Sequence, residues 1–288
     1  MSDVKVAILP VAGFGTRVLP ATKSIPKEML PIVDRPAIQY VVDEALEAGI
    51  EHIVFVTGRN IGAIEDYFDA NYELEEALER KKKTEILEML QKMRLPASAS
   101  TFTRQQSALG LGHAVWCAKA VAGNSPVAVL LPDVIIKSEK SCLAQMMEAY
   151  DEVGGNIIAV DAVPEDEVSK YGVIAPKSRN GKLIEMTGMV EKPAKEDAPS
   201  NLKITGRYIL QPEIFDLLED QGPGAGNEIQ LTDAMERLMK SQQFFAFEYE
   251  GKDYDCGSIP GYFEAVFAHA AEHPQTAELV KKLAADLA

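Results

Sequence analysis

The sequence contains few of the features that mark secreted, membrane or zinc-binding proteins. Its 288 residues include three cysteines, which are widely spaced and form no Cys-x-x-Cys pair. This pattern argues against a zinc site and fits a reducing compartment. No apolar run approaches the roughly 18 residues that a membrane-spanning helix needs, and the first residues, MSDVKVAIL, lack the basic segment and cleavage site of a secretion signal. We therefore expect a cytoplasmic protein that does not bind membranes.

Positive charge is scarce in this chain. It has 29 lysines and arginines against 44 aspartates and glutamates, which gives a net charge of −15. A surface with this charge repels nucleic acids, so we expect no nucleic-acid partner. An anionic ligand would need a local group of cations. The stretch Leu9–Pro31 supplies one, because Arg17, Lys23 and Lys27 are accompanied there by one acidic residue, Glu28.

Two common nucleotide-binding motifs are missing from the same stretch. In GFGTRV, Val18 takes the place of the third glycine of the dinucleotide-binding pattern, which counts against a dehydrogenase. No Gly-Lys pair follows, so the stretch is not a P-loop. Pro20 and Pro26 would interrupt a helix. We therefore predict extended chain after Arg17, which would carry Arg17 and Lys27 along a ligand of triphosphate size.

The glycines of this stretch are suited to binding phosphate groups. Gly13 and Gly15 have no Cβ, so their backbone N–H groups can approach phosphate oxygens closely. Arg17 can bind phosphate oxygens with two donors, and Lys27 adds a second positive charge. The stretch follows the first predicted strand, at the sheet edge where open α/β folds bind ligands. The sequence thus predicts a phosphate-binding loop.

Apolar runs alternate with amphipathic segments over the first 163 residues. The predicted strands are Val4–Pro10, His52–Gly58, Ser100–Gln105, Pro126–Ile136 and Asn156–Val163. The predicted helices are Ala37–Ile50, Ile61–Ala70, Gly112–Ala122 and Cys142–Val153. Strands that are apolar throughout and alternate with helices are typical of a parallel sheet with helices on both faces. The predicted fold class is α/β, with a Rossmann-like, mixed and mainly parallel central sheet.

The pattern changes after Pro164. Short alternating runs such as LKITGRYIL indicate an antiparallel extension of the sheet. The segment Asn71–Arg94 also differs, because its high charge and apolar stripe predict a long helix or a helix pair. It is an oligomer contact, a lid or a solvated insertion.

Eight segments, in order, resemble the nucleotide sugar pyrophosphorylases over nearly the whole chain. They are GFGTRVLPATKSIPKEMLPIVDRPAIQY, RQ with LGLGHAV, LLPDVII, YGVIAP, GMVEKP, GRYIL, NEIQLTDAM and YDCGSIPGY. The resemblance implies transfer of a nucleotidyl group to a sugar 1-phosphate with release of pyrophosphate. The form of the first segment implies UTP and glucose 1-phosphate as substrates. The alternatives are thymidylyl or guanylyl transfer to another sugar 1-phosphate and, in a different class, a non-catalytic nucleotide-sensing subunit.

The resemblance implies a single domain over residues 1–288. Residues 1–163 would form the nucleotide-binding half, residues 164–260 the sugar-binding half with the antiparallel extension, and residues 261–288 the C-terminal helices. The charged segment and the C-terminal helices are the two candidate interfaces of a homo-oligomer. We expect that oligomer to be a dimer or a tetramer.

The implied reaction needs charge rather than a general base. The attacking phosphate is already deprotonated near neutral pH, since its second pKa is about 6. This agrees with the presence of only four histidines, which form no cluster in the sequence. The resemblance assigns catalysis to Arg17, Lys27 and Lys192, which would neutralise phosphate charge. It assigns Mg²⁺ to Asp133 and Asp255, since Mg²⁺ prefers oxygen ligands.

The other site residues also follow from the resemblance. The nucleotide would contact Ala12, Gly13, Gly15, Gln105, Gly110 and Asp133. The sugar would contact Gly172, Glu191, Lys192, Thr205 and Gly206, with Arg207 on the same side. Gln106 competes with Gln105 for reading the base, because the run after Gln105 departs from the family pattern, as Ile259–Pro260 does near Asp255. His113 belongs to the site or caps its helix.

Overall fold

A computed structural model describes residues 3–58 and 62–287 of the chain. Its strands, in chain order, are β1 (Val6–Val11), β2 (Pro31–Ile32), β3 (Arg35–Pro36), β4 (His52–Thr57), β5 (Ser100–Arg104), β6 (Val127–Leu130), β7 (Val134–Lys137), β8 (Asn156–Ala162), β9 (Gly172–Asn180), β10 (Leu183–Glu191), β11 (Leu202–Leu210), β12 (Phe244–Glu248) and β13 (Lys252–Asp255). Four of the five strands predicted for the first half agree with β1, β4, β5 and β8 to within two residues at each end.

The described helices agree with the amphipathic segments of the sequence. They are α1 (Ala37–Glu47), α2 (Gly62–Phe68), α3 (Tyr72–Arg80), α4 (Thr84–Met93), α5 (Leu111–Trp116), α6 (Lys119–Ala122), α7 (Cys142–Val153), α8 (Ile214–Glu219), α9 (Leu231–Leu238), α10 (Ile259–Ala270) and α11 (Ala277–Leu287). The bounds of α7 are those predicted, because Ser141 caps its first turn and Gly154, at φ 63°, ends it. The predicted start of α2, Ile61, lies outside the described residues.

The main sheet has nine strands in the order β5-β4-β1-β6-β11-β8-β12-β10-β9. Strands β5, β4, β1 and β6 are parallel, and so are β8 and β12. Strand β11 lies antiparallel between β6 and β8, and β10 pairs antiparallel with both β9 and β12. The predicted antiparallel region is therefore divided. The β9–β10 hairpin extends one edge, whereas β11 occupies the centre of the sheet.

Helices cover both faces of this sheet. Successive residues of β1 point to opposite sides, so that Leu9 packs in one core with residues of α1 and α7, and Ile8 packs in the other with residues of α5, α8 and α9. This accounts for the apolar character of the strands. In the parts of the chain that the structure describes, no helix has the length and apolar character needed to cross a membrane.

Three predicted elements are divided in the structure. The predicted strand Pro126–Ile136 is wrong as one element, because β6 ends at Leu130 and β7 pairs instead with β13 in a separate two-stranded ladder. The predicted helix Gly112–Ala122 is the two short helices α5 and α6. The charged segment Asn71–Arg94 forms the helix pair α3 and α4.

The C-terminal helices begin earlier than predicted. The first of them, α10, starts at Ile259, within the predicted sugar-binding half.

Candidate active site

The glycine-containing loop after β1 folds into three short 3-10 turns, Thr16–Val18, Ala21–Lys23 and Lys27–Met29. The prediction of extended chain after Arg17 is therefore wrong. Pro20 and Pro26 do exclude a continuous helix, but each directly precedes one of the turns, where its fixed φ is compatible with turning. The loop doubles back rather than extending along a ligand.

A two-stranded ladder brings two aspartates to the same place. Asp255, the last residue of β13, pairs with Val134, the first residue of β7. The N–H of Cys256 donates to the carbonyl of Asp133 at 2.8 Å. Asp133 and Asp255 are 122 positions apart in the sequence numbering, but the ladder places them next to each other.

Gly257 marks the point where these aspartates meet Arg17. A Cβ built on Gly257 would lie 2.5 Å from Arg17 Nη2, 2.8 Å from Asp133 Oδ2 and 2.9 Å from Asp255 Oδ1. The Gly257 N–H also donates to Asp255 Oδ1 at 2.9 Å. The absence of a side chain at this residue is therefore what allows the three charged groups to converge.

Each aspartate is paired with one cation of the loop. Lys27 Nζ lies 2.5 Å from Asp133 Oδ2, and Arg17 Nη1 lies 3.1 Å from Asp255 Oδ2. We call these residues, Arg17, Lys27, Asp133 and Asp255, the four-charge cluster. The structure thus brings together the predicted cations and the predicted metal ligands, which the sequence alone assigned to separate motifs.

The ionisation states in the cluster follow from burial and pairing. Burial acts to lower the pKa of Lys27, but the carboxylates of Asp133 and Glu28 outweigh it and raise that pKa. Burial acts to raise the pKa of Asp133, but the charge and hydrogen bond of Lys27 outweigh it, so that pKa is lowered. Both groups are therefore charged at neutral pH. Glu28 is fully buried 4.0 Å from Lys27 Nζ, and burial raises its pKa to about 7.

The two aspartates fit a magnesium ion that is completed by other ligands. Within residues 3–58 and 62–287, no three His, Cys, Asp or Glu side chains converge on a metal position. Mg²⁺ commonly takes one or two carboxylates and fills its other positions with water and substrate phosphates. Asp133 and Asp255, which share the space around Gly257, are a pair of this kind.

A second group of predicted residues lies at the open end of the β9–β10 hairpin. Glu191 pairs with Gly172 across the two strands, and a Cβ on Gly172 would lie 3.0 Å from Glu191 Oε2. The same oxygen accepts a hydrogen bond from Thr232 Oγ1 of α9 at 3.1 Å. Lys192 has a left-handed φ of 48°, its side chain is 63% exposed, and its Nζ lies 3.6 Å from Glu191 Oε1. We call Gly172, Glu191, Lys192 and Thr232 the open hairpin end.

Tyr208 connects these two groups. Its hydroxyl is buried and lies within electrostatic range of both Glu191 and Asp133. Burial and these carboxylates raise the pKa of the Tyr208 hydroxyl. Glu191 of the open hairpin end and Asp133 of the four-charge cluster therefore both lie near the Tyr208 hydroxyl.

Strand β11 places three predicted sugar-side residues in or against the core. Thr205 is 4% exposed. The carbonyl of Gly206 accepts the N–H of Leu131 at 2.9 Å. Arg207 is fully buried, so the expectation that it lines the sugar is wrong. Sugar contacts of Thr205 and Gly206 remain predictions that would use their backbone.

Of the predicted base-reading residues, Ala12 and Gly13 follow β1 and Gln105 follows β5, while Gly110 precedes α5. The N–H of Gln105 donates to the carbonyl of Thr57 at 2.8 Å. Thr57 pairs with Val11, the residue before Ala12. Ala12 and Gly13 line a concavity of about 580 Å³ under the loop. These contacts bring the predicted nucleotide residues to one edge of the sheet.

The Gln105 side chain has a fixed orientation. It is 7% exposed, and its Nε2 donates to the carbonyl of Gly110 at 3.0 Å and lies 3.1 Å from His113 Nδ1. Because a carbonyl only accepts hydrogen bonds, the amide nitrogen must face Gly110. The structure records no side-chain cap at the start of α5, so the prediction that His113 caps this helix is wrong. Gln106 is exposed and lies beside His113 in a smaller concavity.

Comparison with known proteins identifies the family. The model of the family described as nucleotidyl transferase matches residues 6–272. This chain belongs to the nucleotidyl transferase family. It is 49% identical over 281 residues to a UTP–glucose-1-phosphate uridylyltransferase of Staphylococcus epidermidis, which covers 98% of this chain and 97% of the relative.

Solved structures of similar proteins share the fold of this nucleotidyl transferase. A UTP-bound UDP-glucose pyrophosphorylase of Acinetobacter baumannii has a TM-score of 0.91 and 46% identity, and covers 99% of this chain and 100% of its own. A UDP-glucose pyrophosphorylase complexed with UDP-glucose has a TM-score of 0.86 and 45% identity, and covers 94% of this chain and 100% of its own. The predicted mixed α/β fold and family are therefore confirmed.

Four residues that contact the predicted ones were not predicted. Glu44 is one of them, since its Oε2 accepts from Arg207 Nη2 at 2.8 Å. Glu28, Thr232 and Gly257 lie within segments that resemble the nucleotide sugar pyrophosphorylases. The sequence therefore indicated their neighbourhood but not their contacts. Glu44 lies in the middle of α1. From the sequence alone, its carboxylate looks like that of an exposed residue of the helix. No sequence signal distinguished it from the other acidic residues of that helix.

Proposed function

We propose that this nucleotidyl transferase transfers a uridylyl group from UTP to glucose 1-phosphate and releases pyrophosphate. The observation that supports it most is the four-charge cluster, in which two cations and two carboxylates meet at the ligand-binding edge of the sheet. The chain is similar to uridylyltransferases over nearly its whole length, which favours UTP and glucose 1-phosphate over other substrate pairs.

In the proposed reaction, an oxygen of the sugar phosphate attacks the α-phosphorus of UTP. The bond from that phosphorus to the bridging oxygen then breaks, and pyrophosphate leaves. Arg17 and Lys27 would neutralise the triphosphate, since both lie on the loop and each is in contact with a carboxylate, Lys27 in a largely buried pair and Arg17 in an exposed one. No proton needs to be removed, because the attacking phosphate is already ionised.

Asp133 and Asp255 would hold Mg²⁺ in this reaction. When bound, the ion supplies positive charge to phosphate oxygens of both substrates. Lys27 already occupies one oxygen of Asp133, so it would keep that carboxylate ionised and oriented before the substrate arrives.

At the open hairpin end, Glu191 would accept hydrogen bonds from sugar hydroxyls, and Lys192 would contact the sugar phosphate. Gly172 has no Cβ to press on the Glu191 carboxylate, which a Cβ would meet at 3.0 Å. Thr232 donates to Glu191 Oε2 and so limits the orientations of the carboxylate. The antiparallel hairpin would in this way form the sugar-binding part of the chain.

Gln105 would read the base through its amide oxygen. Its nitrogen already faces the Gly110 carbonyl and His113, so the oxygen is the atom available to a ligand. An acceptor at this position matches the N3–H of uracil and opposes the unprotonated N3 of cytosine. Thymine has the same N3–H, which is why thymidylyl transfer is the principal alternative.

A pyrophosphate-release assay tests this proposal. UTP, dTTP, CTP and GTP would each be combined with glucose 1-phosphate and with other sugar 1-phosphates, with and without Mg²⁺. We expect the highest rate with UTP and glucose 1-phosphate, a low rate with CTP and no turnover without Mg²⁺. A higher rate with dTTP or GTP would favour the alternative, and the absence of turnover with every pair would favour a nucleotide-sensing role.

We also propose that the chain forms a dimer or a tetramer. Large apolar side chains are exposed on α10 and α11, including Phe263 at 67% and Leu283 at 50%, and contiguous exposed apolar surface commonly marks an interface. Light scattering after size-exclusion chromatography measures the mass directly. A monomeric mass at micromolar concentration would contradict this proposal without affecting the proposed reaction.

A further inference from the structure

We propose that Arg207 is a positioning residue that fixes the Asp133 carboxylate from within the core. The inference rests on the proposed metal role of Asp133. Arg207 is fully buried in the centre of β11. Its Nη1 donates to the carbonyl of Leu131 at 3.1 Å, and its Nη2 donates to the carbonyl of Val134 at 2.7 Å. One guanidinium therefore binds the backbone on both sides of Asp133.

The backbone around Asp133 depends on this support because it joins two different sheets. Strand β6 ends at Leu130 in the main sheet, and β7 starts at Val134 in the small ladder. The guanidinium donates to the carbonyls of Leu131 and Val134, and the Leu131 carbonyl also accepts the N–H of Val134 at 3.2 Å. Loss of these buried hydrogen bonds would be unfavourable. Arg207 thus fixes the turn from which the Asp133 side chain reaches Lys27.

Glu44 keeps the guanidinium charged and oriented. Its Oε2 accepts from Arg207 Nη2 at 2.8 Å and from Arg207 Nε at 3.1 Å. Burial acts to lower the pKa of Arg207, but the Glu44 carboxylate outweighs it and raises that pKa. Glu44 Oε1 also accepts the N–H of Leu143 at 3.0 Å. The pair therefore connects α1, α7, β11 and the Asp133 turn.

This arrangement has a geometric consequence for the proposed reaction. The planar guanidinium can bind one carboxylate and two separate carbonyls at once, whereas an ammonium group cannot reproduce that spacing. A shift of about 1 Å in a reacting group lowers rates by about 100-fold. Loss of Arg207 should therefore reduce turnover and metal use even in a chain that remains folded.

Two variants test the inference. Arg207→Met combined with Glu44→Leu removes both charges and keeps the buried volume, which commonly preserves stability. Arg207→Lys keeps a positive charge beside Glu44 and removes the fixed donor geometry. For each, the kcat, the Mg²⁺ concentration that gives half-maximal rate, the KM for glucose 1-phosphate and the melting temperature would be measured.

For both variants we expect kcat to fall by about 10- to 100-fold and the half-maximal Mg²⁺ concentration to rise by about 10-fold, since both depend on the position of Asp133. The KM for glucose 1-phosphate should change less than about 2-fold, because the open hairpin end is not touched. If the double variant does not fold, Arg207→Lys alone decides the question.

Asn156→Ala is the matched control. Asn156 is also fully buried, and it binds the N–H of Gln211 and the side chain of Gln242. It starts β8, beside β11, at the end of the strands remote from Asp133. The control should lower the melting temperature without raising the Mg²⁺ requirement. Normal Mg²⁺ dependence in both Arg207 variants, or the same profile in Asn156→Ala, would overturn the inference.

The metal role of Asp133 is checked separately with Asp133→Asn. If this variant retains the wild-type Mg²⁺ dependence, the proposed metal site is wrong. If Asp133→Asn changes it and the Arg207 variants do not, the metal site is correct and the positioning role of Arg207 is wrong. The two failures are therefore distinguishable.

Discussion

The four-charge cluster and the open hairpin end differ in how far their charges are arranged before a substrate binds. In the cluster, each cation is in contact with a carboxylate, and the Lys27 side chain is only 16% exposed. At the open hairpin end, Lys192 is 63% exposed and lies 3.6 Å from its nearest carboxylate. Arg17 is 62% exposed, close to the value for Lys192. The comparison therefore indicates that the Lys27–Asp133 pair is preorganised by the fold, whereas Lys192 and Arg17 are held less firmly.

Substitution of Lys27 and of Lys192 by the same residue should give the largest difference between the two regions. Lys27→Met should lower kcat by about 100- to 1,000-fold and destabilise the fold by about 2–3 kcal/mol, because it leaves Asp133 and Glu28 without a buried counter-charge. Lys192→Met should also lower activity strongly but change stability by less than about 0.5 kcal/mol. Urea unfolding and steady-state kinetics measure both effects. Equal stability losses would refute the distinction.

Gly257→Ala should disrupt the four-charge cluster by steric clash, without changing any charge. Its Cβ would lie within 3 Å of three charged side chains, so we expect kcat to fall by about 100-fold as these groups separate. Gly222→Ala is a suitable control, because a Cβ there meets no atom within 4 Å. Comparable activity of the two variants would show that the three side chains need not meet.

Glu28→Gln should show that the buried Glu28 carboxyl next to the four-charge cluster reduces stability at neutral pH. The raised pKa of Glu28, about 7 against 4.5, means that folded protein binds more protons than unfolded protein between these values. Stability is therefore lost as pH rises through this window. Gln should raise the free energy of unfolding at pH 8 by up to about 3 kcal/mol and by little at pH 4.5.

Melting temperatures at several pH values measure the Glu28 effect. Glu139→Gln, at an exposed position, is the matched control and should leave the pH dependence unchanged. A gain from Glu28→Gln that is constant from pH 4.5 to 8 would contradict the raised pKa.

Gly172→Ala should produce the smallest change, and only at the open hairpin end. A Cβ there would lie 3.0 Å from Glu191 Oε2, so the carboxylate must move by a few tenths of an ångström. We expect the KM for glucose 1-phosphate to rise about 10-fold with the KM for UTP unchanged. Gly188→Ala on the same hairpin makes only an ordinary contact at 3.8 Å and should behave as wild type.

The elements that sequence analysis located best are those determined by local patterns. The helix Cys142–Val153 is flanked by its capping residue, Ser141, and by a terminating glycine, Gly154. Strand β4 contains the apolar run Ile53–Val56. Both could therefore be located without knowledge of the neighbouring structure. The run Pro126–Ile136 was misread because its apolar character continues through Pro132–Asp133. Nothing local shows that the chain leaves one sheet and joins another there.

In the candidate site, too, sequence analysis located local patterns but not the features that depend on the whole fold. The resemblance supplied residue types and order, and the structure brings Arg17, Lys27, Asp133 and Asp255 together in two ion pairs. Arg207 was misplaced because LKITGRYIL reads as an alternating, half-exposed strand, whereas β11 is covered on both faces in the centre of the sheet. Burial of that kind depends on strand order, which no single segment specifies.

The central place of β11 has a consequence for synthesis on the ribosome. Strands β6 and β8 emerge first, yet they do not pair with each other, and each needs β11 as its neighbour. A nascent chain that ends before Leu202 therefore exposes one edge of β6 and both edges of β8, and it lacks the Arg207 guanidinium that binds the backbone around Asp133. Asp255 emerges later still, so an interrupted translation product contains most of the fold but no complete reaction centre.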